Sequence, residues 1–193
     1  MSPRGYARVL LLFAGQRFVE LIYSRRNERL IRRRRPATAE AGRSVFGWIA
    51  GVNLALFILP AVERSLRKRS PPRPVAAFGL LLALAAVALR LSVLVTLREA
   101  WNVRALVPED LRVIDRGPYR YVRHPNYVAL ALEFLGLPLM GGAYLSAIGL
   151  SVVNALLLRE RIREEEALLM AIPAYRERMG EKPRFLPRMI TGR

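Results

Sequence analysis

The chain has 193 residues, 53% of them hydrophobic, and a positive mean hydropathy, a balance that describes one membrane-embedded domain rather than two soluble ones. Its 32 Lys and Arg against 15 Asp and Glu leave a net charge of +17. These cations stand in short runs between apolar segments instead of covering one soluble face, which suits anionic lipid headgroups and argues against nucleic acid. With no cysteine and one histidine, disulfides, thiolate nucleophiles and histidine-rich metal sites are excluded, and no metal is expected.

Tyr6 to Tyr23 predicts a first membrane helix, with Arg17 and Glu20 three residues apart and able to pair at membrane depth. Its apolar core, Val9 to Ala14, runs straight into Gln16, Arg17 and Glu20, unlike a signal peptide. The basic run Arg25, Arg26, Arg29 and Arg32 to Arg35 closes the segment and belongs on the cytoplasmic side. Val45 to Val62 predicts a second span, 18 residues without a charge. The basic loop Glu63 to Pro74 then faces outward, against the positive-inside tendency. Val75 to Leu97 is the clearest span, 23 residues interrupted only by Arg90.

Arg98 to Arg123 is polar and turn-prone, with Pro108, Gly117 and Pro118, and reads as a surface segment. Tyr127 to Leu158 follows with Glu133 as its single charge; these 32 residues would make a helix of about 48 Å, too long for a ~30 Å hydrocarbon core. Pro138, Gly141 and Gly142 supply the break, and the resulting hairpin returns two polar clusters to one surface. One cluster is Gly117 to Tyr127 and the other Arg159 to Glu166, after which the helix continues toward Met170 and Pro173 ends it. The expectation is an all-α integral membrane protein with about five transmembrane helices. A single domain spans residues 1–193, with N-terminal helices in 1–97 and both polar clusters, the candidate enzyme site, in 98–193. The N-terminus lies outside, and the C-terminus and the site face the cytoplasm.

His124-Pro125 opens the fourth helix, where backbone N–H groups with His124 and Arg123 could hold a carboxylate, or simply grip lipid phosphate. Arg161 and Glu165 share a helix face, so they could serve an anionic substrate and a cationic amino group or form a plain surface ion pair. Tyr119, Tyr121 and Tyr127 could pack on a planar ring or belong to an interfacial belt. Arg90 and Glu133 could pair with each other, or Glu133 with Arg17, in a structural role. Asn154 could be a hydrogen-bond donor between helices or a cavity residue.

Gly117-Pro118-Tyr119, Val122-Arg123-His124-Pro125-Asn126-Tyr127, then Arg161 and the glutamates before Ala167-Leu168-Leu169, with Tyr175 further on, resemble the C-terminal signature of the isoprenylcysteine carboxyl methyltransferase family. The resemblance covers roughly Asn102 to Pro187. It implies a multi-helix membrane fold that binds S-adenosylmethionine on the cytoplasmic side and admits a lipophilic substrate from the bilayer. Matched to the motif, cofactor-binding positions fall on Leu111, Arg112, Val113, Ile114, Tyr119, His124, Pro125, Asn126, Tyr127 and Glu165. Arg161 takes the substrate-facing position, so the catalytic pair is Arg161 and Glu165. Arg104 aligns with a further cofactor contact but differs from the usual residue type.

Gln16-Arg17-Phe18-Val19-Glu20, Arg25-Arg26-Asn27-Glu28-Arg29 and Trp101-Asn102 resemble a bacterial branch whose members O-methylate alkylpyrones and related polyketides of type III synthases. That resemblance implies a location in the bacterial inner membrane and a type III polyketide synthase as functional partner. The rival readings are a prenylcysteine carboxyl methyltransferase, a phospholipid N-methyltransferase, a nicotinamide-dependent membrane reductase and a non-enzymatic binder of anionic lipid.

Overall fold

The computed structural model describes residues 2–35, 38–67 and 70–187. Its helices are α1 (Pro3–Arg34), α2 (Phe46–Leu66), α3 (Arg73–Leu97), α4 (Pro125–Gly141), α5 (Tyr144–Ala171) and a short α6 (Pro173–Met179). Two three-residue strands, β1 (Thr38–Glu40) and β2 (Leu106–Pro108), pair antiparallel with Thr38 opposite Pro108 and Glu40 opposite Leu106. Strands this short carry no periodicity that a sequence could reveal. They correct the expectation for Arg98 to Arg123: Trp101, Leu106 and Val107 are buried, so this segment is a wall of the molecule rather than only its surface.

The basic run does not end the first helix. α1 continues unbroken through it to Arg34, because the run contains no helix breaker and Arg32, Arg33 and Arg34 complement the negative end of the helix dipole. The hairpin breaks where expected, at Gly142, which ends α4 in a left-handed conformation (φ +74°). Pro173 occupies the first turn of α6, where its missing N–H is harmless.

α4 is the central helix, with 11 of its 17 residues buried. Its closest partner is α3, and the contact depends on glycine: a Cβ on Gly79 would lie 2.3 Å from the Met140 backbone nitrogen, and one on Gly136 2.6 Å from that of Ala83. Backbones this close let two helices associate without help from water, as membrane helices must. Tyr6 of α1 donates a 2.9 Å hydrogen bond to the Leu137 carbonyl near the end of α4, and its ring fills the space a Cβ on Gly141 would take. At the same end Glu63 accepts hydrogen bonds from the backbone N–H groups of Leu145 and Ser146, capping α5. The basic α2–α3 loop is folded onto protein here. Buried Arg64 donates to the Arg67 carbonyl and Ser70, and Arg67 lies over the Tyr144 ring; Lys68 and Arg69 lie outside the described residues.

Among the described residues two helical stretches are long and apolar enough to cross a membrane, Phe46–Leu66 and Arg73–Ala100. Their outer faces expose Leu54, Ile58 and Val62 on α2 and Phe78, Leu81 and Leu84 on α3, apolar side chains suited to lipid. α1 falls short because of its charges, and α4 because it has only 17 residues.

The ionisable residues of the apolar stretches meet in one buried cluster. Glu133 of α4 binds Arg17 of α1 and, at 3.2 Å, Arg90 of α3; Glu20 of α1 lies 3.4 Å from Arg17 and 3.6 Å from Arg90. Both pairings open in the sequence are therefore made at once, and two cations balance two anions, with only Arg17 partly exposed. Asn154 is buried in α5 and is not among the residues that line the main cavity.

Candidate active site

A cavity of about 500 Å³ lies between the first turn of α4, the charged part of α5 and the wall formed by residues 100–114. α4 begins at this point because Pro125 sets the first helical turn and Pro118 and Gly117 keep the preceding chain in a 3-10 turn. α5 reaches the same point from the other end of the hairpin. Arg161 and Glu165, four residues apart, therefore both face the start of α4.

Tyr127 joins them. Its hydroxyl donates to Glu165 Oε2 at 2.5 Å and accepts from Arg161 Nε at 3.0 Å, while Arg161 Nη2 donates to the Val103 carbonyl. The surface ion pair is thus not what forms: Arg161 is buried, and among the described residues no carboxylate lies within ion-pairing distance of it. Its Nη1 carries no hydrogen bond to a described residue. A buried guanidinium with an open edge in a cavity is a site for an anionic oxygen.

Gly42 helps to place that guanidinium. It adopts φ +67°, its N–H donates to Glu164 at 2.6 Å, and a Cβ there would stand 2.8 Å from Arg161 Cγ and 3.3 Å from its Cβ. This is the near part of the arginine chain, which cannot swing clear. Gly42→Ala is expected to lower turnover about tenfold, since a left-handed alanine adds roughly 1–2 kcal/mol of strain and displaces Arg161. Steady-state kinetics beside a thermal unfolding curve will separate the two effects.

His124 is buried and its Nε2 hydrogen-bonds Glu166 at 3.0 Å; a carboxylate only accepts, so Nε2 carries the proton. Arg123 and Arg184 also pair with Glu166, and the Arg123 and His124 backbone N–H groups donate to the carbonyls of Pro183 and Arg184. The donors at the helix start that might have held a ligand carboxylate thus hold Glu166 and the C-terminal segment, although both side chains still line the cavity. Tyr121 is exposed and takes no part.

Leu111, Arg112, Val113, Ile114, Tyr119 and Asn126 all line the cavity, as do Tyr127, Arg161 and Glu165. Pro125 is buried behind them and acts through the backbone. Arg104 turns away, paired with Glu40 at 2.8 Å and lying over the Phe46 ring. A small apolar core of Val107, Leu169, Tyr175 and Met179, packed with Leu111 and Val113, closes the polar end. Burial, and then the Glu165 charge, push the Tyr119 and Tyr175 phenols above the ordinary tyrosine value, so both remain neutral.

Sequence reasoning did not find the opposite wall, where Phe18 and Leu21 of α1 and Leu54 and Phe57 of α2 carry the cavity toward the lipid-facing surface. Lone apolar residues on apolar helices carry no signal that separates a tunnel wall from a core. Trp101 was noted only as part of the resemblance; it is buried, lines the cavity, and its indole N–H has no partner among the described residues.

Residues 79–171, which contain every site position from Leu111 to Glu165, match the isoprenylcysteine carboxyl methyltransferase (ICMT) family. The chain is also 31% identical over 166 residues to "Uncharacterized protein YpbQ" of Bacillus subtilis (strain 168), covering 83% of this chain and 94% of that protein. The chain belongs to the ICMT family. A shorter similarity, 32% over 93 residues, links it to an uncharacterized protein of Haemophilus influenzae, covering 47% of this chain and 54% of that protein. ICMT-family enzymes are membrane-associated methyltransferases that use S-adenosylmethionine as methyl donor, and the two apolar helices agree with a membrane methyltransferase.

Proposed function

We propose that this chain is an S-adenosylmethionine-dependent O-methyltransferase whose acceptor is an alkylpyrone or related long-chain polyketide. In this reading five helices are embedded in a bacterial inner membrane and the site faces the cytoplasm. A type III polyketide synthase supplies the acceptor. The observation that carries the chemistry is one cavity that joins the open edge of Arg161 to apolar walls on α1 and α2.

The residues present fit the methyl donor. Glu165 offers a carboxylate whose Oε1 has no hydrogen bond among the described residues, suited to an ammonium or sulfonium group. The apolar slot of Leu111, Val113, Tyr119 and Met179 suits a planar base. The unpaired Trp101 indole N–H suits an acceptor atom. S-adenosylmethionine, when bound, supplies an already activated methyl group.

The chain's own work is alignment and exclusion of water. Arg161 orients an anionic oxygen, Tyr127 keeps Arg161 and Glu165 at fixed separation, and His124 with Glu166 holds the start of α4. An ionised hydroxypyrone or a carboxylate needs no general base, so a single histidine engaged with Glu166 is no obstacle. A prenylcysteine carboxylate would meet the same guanidinium edge, and the family match favours it as the second reading. A neutral amine, as phospholipid N-methylation requires, gains nothing from Arg161.

Calorimetry of S-adenosylhomocysteine on the detergent-purified chain tests the reading. Wild type is expected to bind, with affinity at least about tenfold lower in His124→Ala and Glu165→Ala. A folded wild type that binds none would refute it. Turnover of alkylpyrone against prenylcysteine acceptors then decides between the two readings.

A further inference from the structure

The ion cluster at membrane depth reaches the cavity, which Arg17, Glu20 and Arg90 help to line. A cluster that only joined helices would have no reason to meet the site. The point of contact is Asn126, the second residue of α4: Arg90 Nη1 donates to Asn126 Oδ1 at 3.4 Å. A guanidinium has five donors and no acceptor, so it can face only the carbonyl end of an amide. Arg90 thereby settles which way the Asn126 side chain points.

The consequence falls on the other end of that amide. Asn126 lines the cavity, and its Nδ2 has no partner among the described residues. Its backbone N–H, one of the first-turn donors that an α-helix cannot satisfy itself, is likewise without one. Asn126 therefore has two kinds of donor left open, and its side chain lines the same cavity as Tyr127, whose hydroxyl contacts Arg161. Glu133 at 3.2 Å and Glu20 at 3.6 Å hold Arg90 in position from α4 and α1.

We propose that Arg90 is a positioning residue that locks Asn126 with its NH2 group directed into the cavity, where it donates to an oxygen of the bound ligand. The oxygen belongs either to the donor's carboxylate or to a second oxygen function of the methyl acceptor, as on a hydroxypyrone ring. This inference rests on the methyltransferase reading of the site.

The test uses the full chain in detergent and five variants: Asn126→Asp, Asn126→Leu, Arg90→Lys, Arg90→Met and the double variant of Arg90→Met with Asn126→Leu. Asn126→Asp gives Arg90 a carboxylate partner, so the cluster survives while the donor is lost. It is expected to keep its melting temperature yet bind about tenfold more weakly, the loss typical of one hydrogen bond left unmade in a buried site. Arg90→Met, which frees the amide to turn, is expected to weaken binding as well, and Arg90→Lys, which retains a donor toward Oδ1, to weaken it less. Arg90→Met combined with Asn126→Leu is expected to be no worse than Asn126→Leu alone, because both changes remove one device.

Weaker S-adenosylhomocysteine binding assigns the amide to the donor's carboxylate. A raised acceptor KM with unchanged S-adenosylhomocysteine affinity assigns it to the acceptor. Folded Asn126→Asp and Asn126→Leu with unchanged affinity and KM would overturn the proposal and leave the cluster a structural staple. A wild type inert toward both ligands would instead refute the methyltransferase reading, so the two failures are distinguishable.

Discussion

Arg161→Ala is expected to reduce kcat/KM by roughly 10²- to 10³-fold, or about 3–4 kcal/mol, while S-adenosylhomocysteine still binds. The size follows from burial. Arg161 is 5% exposed and lacks a carboxylate partner among the described residues, so an acceptor anion seated there meets a charge that water screens poorly. Removing it leaves that anion buried and unpaired, the expensive half of breaking an ion pair. Tyr127 and Glu165 stay in place, which preserves the donor side of the cavity. Arg161→Lys is not expected to rescue fully, because one ammonium cannot hold the Tyr127 hydroxyl and the Val103 carbonyl and still offer an open edge. Separate measurements of kcat/KM and S-adenosylhomocysteine affinity check the assignment, and full turnover with unchanged substrate affinity in Arg161→Ala would refute it.

The largest loss of stability is expected from Gly136→Leu. A Cβ at this position meets the Ala83 backbone nitrogen at 2.6 Å and the Gly79 carbonyl at 2.8 Å, atoms that no rotamer change can move. The helices must separate, which costs about 3 kcal/mol or more. α4 carries Glu133 on one side and His124, Asn126 and Tyr127 at its start, so the same displacement loosens the ion cluster and moves the site. Yield of monodisperse protein and the melting temperature in detergent are the readouts. Gly15→Leu, on the exposed side of α1 with nothing within 4 Å of its Cβ, serves as the control and is expected to unfold like wild type.

Much of the architecture could be read from local features. Long apolar runs mark α2 and α3, and Gly142 divides what would otherwise be one over-long helix, although α4 continues through Pro138, which does not break it. Pro125 marks the start of α4. Tyr127, Arg161 and Glu165 stand out through the family resemblance, since their spacing alone suits an interfacial tyrosine and a surface ion pair equally well; the fold brings all three to one cavity. The β1–β2 pair was not legible, since it joins segments 68 positions apart through three residues each.

Chain chemistry alone thus decides that apolar helices form, where proline and glycine interrupt them, and that two polar clusters return to one surface, because each of these depends on composition or on neighbours a few residues away. Partner choice is different. Arg161 is held by Tyr127 and Val103 instead of Glu165, His124 is engaged by Glu166, Arg90 reaches Asn126, and α1 with α2 completes the cavity. A charge or a hydroxyl announces that it needs a partner, but which group meets that need depends on helix crossings. Those crossings are set by the close approach of Gly79 and Gly136 and by packing among residues far apart in the chain.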